Sequence, residues 1–359
     1  MNKVYFAPIS PNDDPSIYPE KVEAVFDAAR FSSIFEKGYL AAIKLHFGER
    51  GNEGYIHPPL VRAVVDSVKK CGAYPFLTDT NTLYSGKRAN TYDHLLTARE
   101  HGFTFENVGA PVVIADGLRG QNQVLVDVPE GVRYKQARIA SDIVAADALV
   151  VLTHVTGHLA AGYGGAIKNV GMGCSSRGGK LDQHSNIMPE VIEEKCTGDG
   201  NCVKWCPTKA ITLNKNNKAV IDEEKCISCG QCYAVCPFGA IKHTWGHRSV
   251  ELNERMAEHA FGALKHKSGR AAFFNFIVNL TKECDCMGKK QKAFMPDLGI
   301  VAGRDIVAVE KATIDLLDKA AGKELFRELY PDLEYMSQLT HAEKIGLGST
   351  KYELVEICC

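Results

Sequence analysis

Residues 40–80 read LAAIKLHFGERGNEGYIHPPLVRAVVDSVKKCGAYPFLTDT, and this stretch decides the fold. LAAIKLHF is a short apolar run that ends in polar residues, the pattern of a buried strand. PPLVRAVVDSVKKCG spaces its apolar residues at helical period, opens on proline and closes on glycine. AYPFLTDT is a second strand. Strand, helix and strand in so few residues form a βαβ unit with parallel strands. The alternation extends in both directions. KVYFAPI (3–9) reads as a strand and EKVEAVFDAARFSSIF (20–35) as a helix. TYDHLLTAREHGF (91–103) is a helix and VVIAD (112–116) a strand, followed by a hairpin near VLVDV (124–128). KQARIASDIVAAD (135–147) is expected to be a helix and ALVVLTHV (148–155) a strand.

The same pattern returns near the other end of the chain. ELNERMAEHAFGALKHK (251–267) and VAVEKATIDLLDKAAG (307–322) have helical spacing, while FFNFIVNL (273–280) and the stretch DLGIVAGRD (297–305) suit a sheet. The expected fold is therefore α/β, a doubly wound and mostly parallel sheet. FFNFIVNL is expected to rejoin the first sheet, which makes the cysteine-rich stretch between them an insertion. The division is 1–188 and 246–359 for the α/β domain and 189–245 for the insert.

That insert carries the strongest chemical signal. Seven of the thirteen cysteines lie between Cys196 and Cys236, too concentrated and odd a set for a disulfide framework. KCTGDGNCVKWCPTKAI (195–211) and KCISCGQCYAVCPFGAI (225–241) repeat at an offset of thirty residues, with Asp199 standing opposite Cys229. The second half is a complete C-x2-C-x2-C-x3-C-P, the run of bacterial two-cluster ferredoxins, whose fourth cysteine serves the other cluster. Crossed ligation gives a [4Fe–4S] cluster on Cys226, Cys229, Cys232 and Cys206. The second cluster takes Cys196, Cys202 and Cys236, with Asp199 in the fourth place. Carboxylate is a harder ligand than thiolate, so that cluster is expected as [4Fe–4S] with Asp199 or as [3Fe–4S]. Zinc is the alternative for paired C-x2-C, but the interleaved spacing with two C-P steps favours iron–sulfur.

Residues 157–186 are glycine-rich and polar, and a stretch of that length points to function. His158 is followed ten residues on by Lys168, and sixteen residues later by His184. These three are the candidate catalytic residues. Gly164, Gly165 and Asn169, with Lys168, are the candidate cofactor-binding residues, because glycine lets backbone approach a ligand. Histidines there can ligate metal or move protons, and lysine can bind an oxyanion or form an adduct. Walker A and G-x-G-x-x-G both fail in this segment, so no organic cofactor is assigned.

Polar groups also gather past the strand ends, where α/β sheets place their sites. His46, Arg50, Asp79 and Asn81 are the candidate substrate-binding residues, with Lys44, Glu49, His57 and Lys87 nearby. His154 ends another strand. Cys284 and Cys286 can hold a metal or a redox centre, or can be two partly buried thiols.

These motifs together resemble the domain-of-unknown-function 362 family in its ferredoxin-containing form. The resemblance rests on IKLHFGERGNEGYIHPPLVRAVVD, PFLTDTNTLYSGKR, IADGLRG, GHLAAGYGGAIKNVGMG, the cysteine insert, CDC and PDLGIVAGRD. It runs over nearly the whole chain and implies a fold more than an activity. The segment from His158 to His184 also resembles the core of nickel-pincer lactate racemase. That resemblance implies a proton- or hydride-step base at His158, the pincer cofactor on Lys168 and a nickel ligand at His184. The upstream catalytic His of that family has no clear match, and Asn81 and Thr82 stand near its place.

Three functions follow. The first is an oxidoreductase relaying electrons between the clusters and a small-molecule substrate or cofactor, with a ferredoxin or flavoprotein as redox partner. The second is an electron carrier or redox sensor without substrate chemistry. The third is a nickel-pincer-type racemase or isomerase with accessory clusters. A net charge of −1 gives no global field for nucleic acid. No apolar run reaches membrane-span length, and MNKVYFAPISPNDD lacks a secretory core. The expected location is the cytoplasm.

Overall fold

The computed structural model describes residues 1–84, 86–184, 189–206, 208–226, 231–242 and 249–357. Eight strands form one sheet: β1 (Asn2–Pro8), β2 (Leu40–Lys44), β3 (Tyr74–Asp79), β4 (Val112–Ile114), β5 (Ala148–His154), β6 (Ala271–Ile277), β7 (Gly299–Gly303) and β8 (Tyr352–Glu356). Their spatial order is β8-β1-β7-β6-β5-β2-β3-β4. Five of the seven neighbouring pairs are parallel. Only β7 runs against both of its neighbours. The mostly parallel α/β sheet read from sequence is the sheet observed, and FFNFIVNL rejoins it as β6, register-matched to β5 with Phe276 beside His154.

Helices cover both faces, as period-2 strands buried on both sides require. Along β5, Leu149 and Val151 enter one apolar cluster, while Ala148, Val150 and Leu152 enter the other. Helices α1 (Tyr18–Ala28) and α2 (Pro58–Lys70) pack on the second face through Val22, Val25, Val61 and Val65. Helices α3 (Ala166–Gly173), α4 (Arg177–His184), α5 (Ser249–Leu264) and α6 (Ile306–Ala321) follow later in the chain. Of these, α3, α5 and α6 bury Ile167, Ala260 and Val309 on the first face. Proline opens α2 and Lys69 and Lys70 close it, in accord with the helix dipole. Asp305 caps α6 by accepting from the Val307 and Ala308 amides.

Two readings change. Gln136–Ala140, expected within a helix, is a strand paired antiparallel with Gln123–Asp127. The hairpin partner decides the conformation of QARIA, and only Ser141–Ala145 stays helical. The glycine-rich stretch is not one loop: it holds a small hairpin, Thr156–His158 with Gly162–Gly164, and then α3 and α4.

The cysteine-rich stretch forms the short strand pairs Glu190–Val191 with Ile241–Lys242 and Ile211–Leu213 with Ala219–Ile221. Two one-turn helices, Asn201–Trp205 and Gln231–Val235, pack on each other. These elements enclose their own small apolar cluster. Among the described residues, no helix is long and apolar enough to cross a membrane.

Candidate functional site

A cavity of about 640 Å³ opens where β2, β3 and β5 end, the edge that parallel strands offer to ligands. One wall is a buried charge nest. Lys44, the last residue of β2, reaches Asp79 Oδ1 at 3.0 Å and donates to Asn169 Oδ1 at 2.7 Å. Arg88 donates to Asp79 Oδ2 at 3.2 Å and lies 3.4 Å from Glu49 Oε2. Burial pushes the Asp79 carboxyl up, but the Lys44, His94 and Arg88 charges outweigh it and hold it below its ordinary value. Asn169 in turn donates to Leu152 O and Thr153 Oγ1. It pins α3 to β5 as well as lining the cavity.

Two histidines present the same face to the cavity. His46 Nδ1 accepts from the Gly48 amide at 2.9 Å, and His158 Nδ1 accepts from the Ala161 amide at 3.0 Å. Burial, then neighbouring cations, pushes both rings well below the ordinary histidine range, so both are neutral. A neutral imidazole whose Nδ1 accepts carries its proton on Nε2. Each ring therefore offers an Nε2–H donor.

Lys168, on α3, lines the same cavity. Among the described residues its amine has no hydrogen-bond or ion-pair partner. Burial brings its pKa down to about 8, with Asp285 opposing and Lys44 and Arg88 assisting. His184, at the end of α4, also lines the cavity, and burial followed by Lys168 and Lys180 takes it down to about 4. The structure thus brings His158, Lys168 and His184 into one cavity with His46 and Asp79. A wall of N–H donors and an amine that burial has made easier to deprotonate suits a small ligand bearing a carboxylate or carbonyl oxygen.

Beside His158, Cys284 and Cys286 also line the cavity and are joined by a disulfide. Between them Asp285 accepts from His154 Nδ1 at 2.9 Å, while His154 Nε2 donates to Val278 O at 3.0 Å. Both ring nitrogens face acceptors, so the ring is an imidazolium. Burial opposes that charge, but Asp285 and the carbonyls raise the pKa above its ordinary value. A raised folded-state pKa adds stability that is complete below the unfolded value near ~6.5. That stability is lost as pH rises through the folded value. Wild type should therefore exceed His154→Gln in urea-unfolding stability at pH 6, and the gap should narrow as pH rises into the alkaline range. A gap that widens with pH overturns the assignment.

Other expected site residues serve elsewhere. Asn81 is fully buried, and its amide and side chain bind Asp116 at 2.8–3.1 Å. Arg50 is half-exposed and pairs with Glu100. Neither lines the cavity. Gly164 and Gly165 do line it, but a Cβ on Gly165 would lie 2.4 Å from the Glu310 carboxylate. Glu310 accepts from the Ala166 amide at 2.6 Å and so caps α3 from α6. Packing, as much as ligand approach, requires glycine there. Sequence reading missed Arg88 and Lys180. Lys180 donates to Ser175 O at 2.8 Å and to Thr80 Oγ1. Arg88 directly follows the Lys87 singled out from sequence, and nothing in a loop sequence marks which of two basic residues is buried.

In the cysteine-rich stretch, Cys196, Cys202 and Cys232 are buried, and Cys206, Cys226 and Cys236 are partly buried. Cys229 lies outside the described residues, as do Cys358 and Cys359. The thirty-residue repeat reappears as geometry. The Ala210 amide donates to Cys206 Sγ at 3.1 Å, and the Ala240 amide donates to Cys236 Sγ at 3.4 Å. Lys209 (φ 55°) and Gly239 (φ 59°) are both left-handed. Amide donors aimed at sulfur in an apolar setting are the surroundings of cluster thiolates, so the residues present fit such groups. Asp199 is exposed and bound to Asn201 Nδ2 at 2.6 Å. The helix Gln231–Val235 packs on α4, and Arg177 at the start of α4 lies within electrostatic reach of Tyr233 and Cys236.

A family model described as Domain of unknown function (DUF362) matches residues 41–315. Among solved structures, the lactate racemase apoprotein from Thermoanaerobacterium thermosaccharolyticum is similar at 14% identity and a TM-score of 0.39. The match covers 79% of this chain and 51% of that one, so the chain spans about half the length of that protein. No curated protein matches.

Proposed function

The chain belongs to the DUF362 family, and from that premise we propose that it is an iron–sulfur oxidoreductase with a small-molecule site in its α/β domain. Residues 189–245 form an inserted two-cluster ferredoxin-like module between the parts 1–188 and 246–359. Cys206, Cys226, Cys229 and Cys232 hold one [4Fe–4S] cluster. Cys196, Cys202 and Cys236 hold the other, as [3Fe–4S] or as [4Fe–4S] with Asp199, which must release Asn201 to ligate. Such clusters supply single electrons, exchanged outside with a ferredoxin or flavoprotein.

One observation carries the reading. Helix α4 packs on the helix Gln231–Val235, holds Arg177 within electrostatic reach of Cys236, and lines the cavity with Lys180 and His184. Its eight residues span only about 12 Å. A pure carrier has no use for a donor-lined cavity one helix away from its redox module. Within the cavity, the Nε2–H groups of His46 and His158 and the Lys168 amine bind and orient an oxyanionic or carbonyl ligand. The charge nest around Asp79 fixes Lys44 behind them.

Oxygen-free purification tests this. About eight sulfides per chain are the expected result, with about eight irons, or about seven where the second cluster is [3Fe–4S]. A colourless or zinc-filled protein overturns it. A second reading is favoured by one feature, the unpartnered Lys168 amine, which suits covalent attachment of a nickel-pincer-type cofactor for an isomerase. Nickel, together with added mass on the intact chain that disappears in Lys168→Ala, would select that reading.

A further inference from the structure

The Cys284–Cys286 pair is unused by the function described above, yet it forms part of the same cavity wall. We propose that these two cysteines are a two-electron dithiol/disulfide centre, reduced through the cluster module and acting on a small organic disulfide. The source of electrons rests on the iron–sulfur reading; the thiol chemistry does not.

Position argues for it first. Both sulfurs and a ring nitrogen of His158 lie within 4.8 Å of one another. Cys284 is 6% exposed, while Cys286 is only partly buried. Reactive thiols sit in electropositive, partly open surroundings, and Cys286 meets that description with the Lys168 amine in the same cavity and the neutral His158 ring as a neighbouring N–H donor. The neighbouring carboxylate that would disfavour a thiolate, Asp285, is already engaged by the His154 imidazolium. A structural purpose is weak by comparison. A bridge between residues two apart closes so short a loop that it constrains little of the unfolded chain. The segment is held independently, by the Glu49 amide on Asp285 O at 2.9 Å and by Asn52 Nδ2 on Met287 O at 3.2 Å.

The chemistry balances. The Cys286 thiolate attacks one sulfur of RSSR, forming a mixed disulfide and releasing RS⁻, which is protonated. The Cys284 thiolate then attacks Cys286 Sγ, re-forming the Cys284–Cys286 bond and releasing the second RS⁻. Two electrons, delivered one at a time by an external one-electron carrier through the clusters, and two protons restore the dithiol. The sum is RSSR + 2e⁻ + 2H⁺ → 2RSH.

Two measurements on the full cluster-loaded chain decide it. In anaerobic reductive titration, wild type should take up two electrons more than the double variant Cys284→Ser/Cys286→Ser, with the cluster EPR unchanged between them. Equal uptake overturns the electron link. Separately, dithiothreitol-reduced Cys284→Ser should trap hydroxyethyl disulfide as a stable adduct on Cys286, seen by intact mass. Cys286→Ser should react at least tenfold more slowly at the buried Cys284. Failure to trap, the reverse order, or a zinc ion held by the reduced pair overturns the thiol centre. Trapping in a preparation without iron would leave the thiol centre standing and remove the iron–sulfur reading instead.

Discussion

Asp79→Ala should destabilise the folded chain by about 3–5 kcal/mol, the cost of breaking a buried ion pair and leaving uncompensated charge. The carboxylate is almost fully buried, and the partners it would abandon are no better hydrated: Lys44 is 1% and Arg88 2% exposed. Lys44 at the end of β2 would keep only the neutral acceptors Asn169 Oδ1 and Leu45 O, and Arg88 in the loop after β3 would keep Tyr84 OH and the Glu49 carboxylate. Urea unfolding of the cluster-loaded chain measures the effect. A loss within ~0.5 kcal/mol, the range of ordinary surface substitutions, would show that the nest is not held by Asp79. Lys44→Met/Asp79→Leu should cost less than the sum of its single variants, because the charges leave together. The folded-state pKa of Asp79 is depressed, so its contribution is complete above the unfolded carboxylate value near ~4 and is lost as pH falls through the folded one.

Cys206→Ser should remove about half of the bound iron, and the signal that disappears should be the one belonging to Cys226, Cys229 and Cys232. This follows from crossed ligation, in which the last cysteine of each half completes the opposite cluster. The symmetric amide-to-sulfur bonds at Cys206 and Cys236 give the two positions equivalent surroundings. Iron and sulfide quantitation with EPR reads the result. Loss of the Cys196–Cys202 signal instead would mean that each half builds its own cluster. Asp199→Cys makes the companion test: it should convert the second signal to that of an all-thiolate cluster.

The parallel core was legible in the sequence because apolar strands and amphipathic helices alternate without ambiguity in 40–80 and 148–155. Two things were hidden. QARIA has neither helical nor strand character strong enough to prevail, and its pairing with Gln123–Asp127 decides it. The helices α3 and α4 were masked by glycines, which disfavour helix in isolation. Their packing explains those glycines: a Cβ on Gly171 would lie 2.3 Å from Met256 O in α5, and one on Gly179 would lie 2.4 Å from Arg138 O. Close approach to neighbouring elements, invisible in one dimension, requires the residue that propensity argues against. At the site, His46, Asp79, His158, Lys168 and His184 were readable as polar groups past strand ends. Arg50 and Asn81 share that sequence context but face Glu100 and Asp116. Residue type identified the candidates, while side-chain direction sorted them.

The order of strands in the sheet also governs how the chain is assembled. Val4 pairs with both Gly303 and Leu354, and β5 waits for β6 across the entire cysteine-rich stretch. During synthesis, β1 and β5 therefore emerge with bare edges long before their partners exist. Pairings this distant in sequence fold slowly and leave strand edges open to aggregation. The cysteines of 196–236 therefore leave the ribosome while the central sheet is still unfinished.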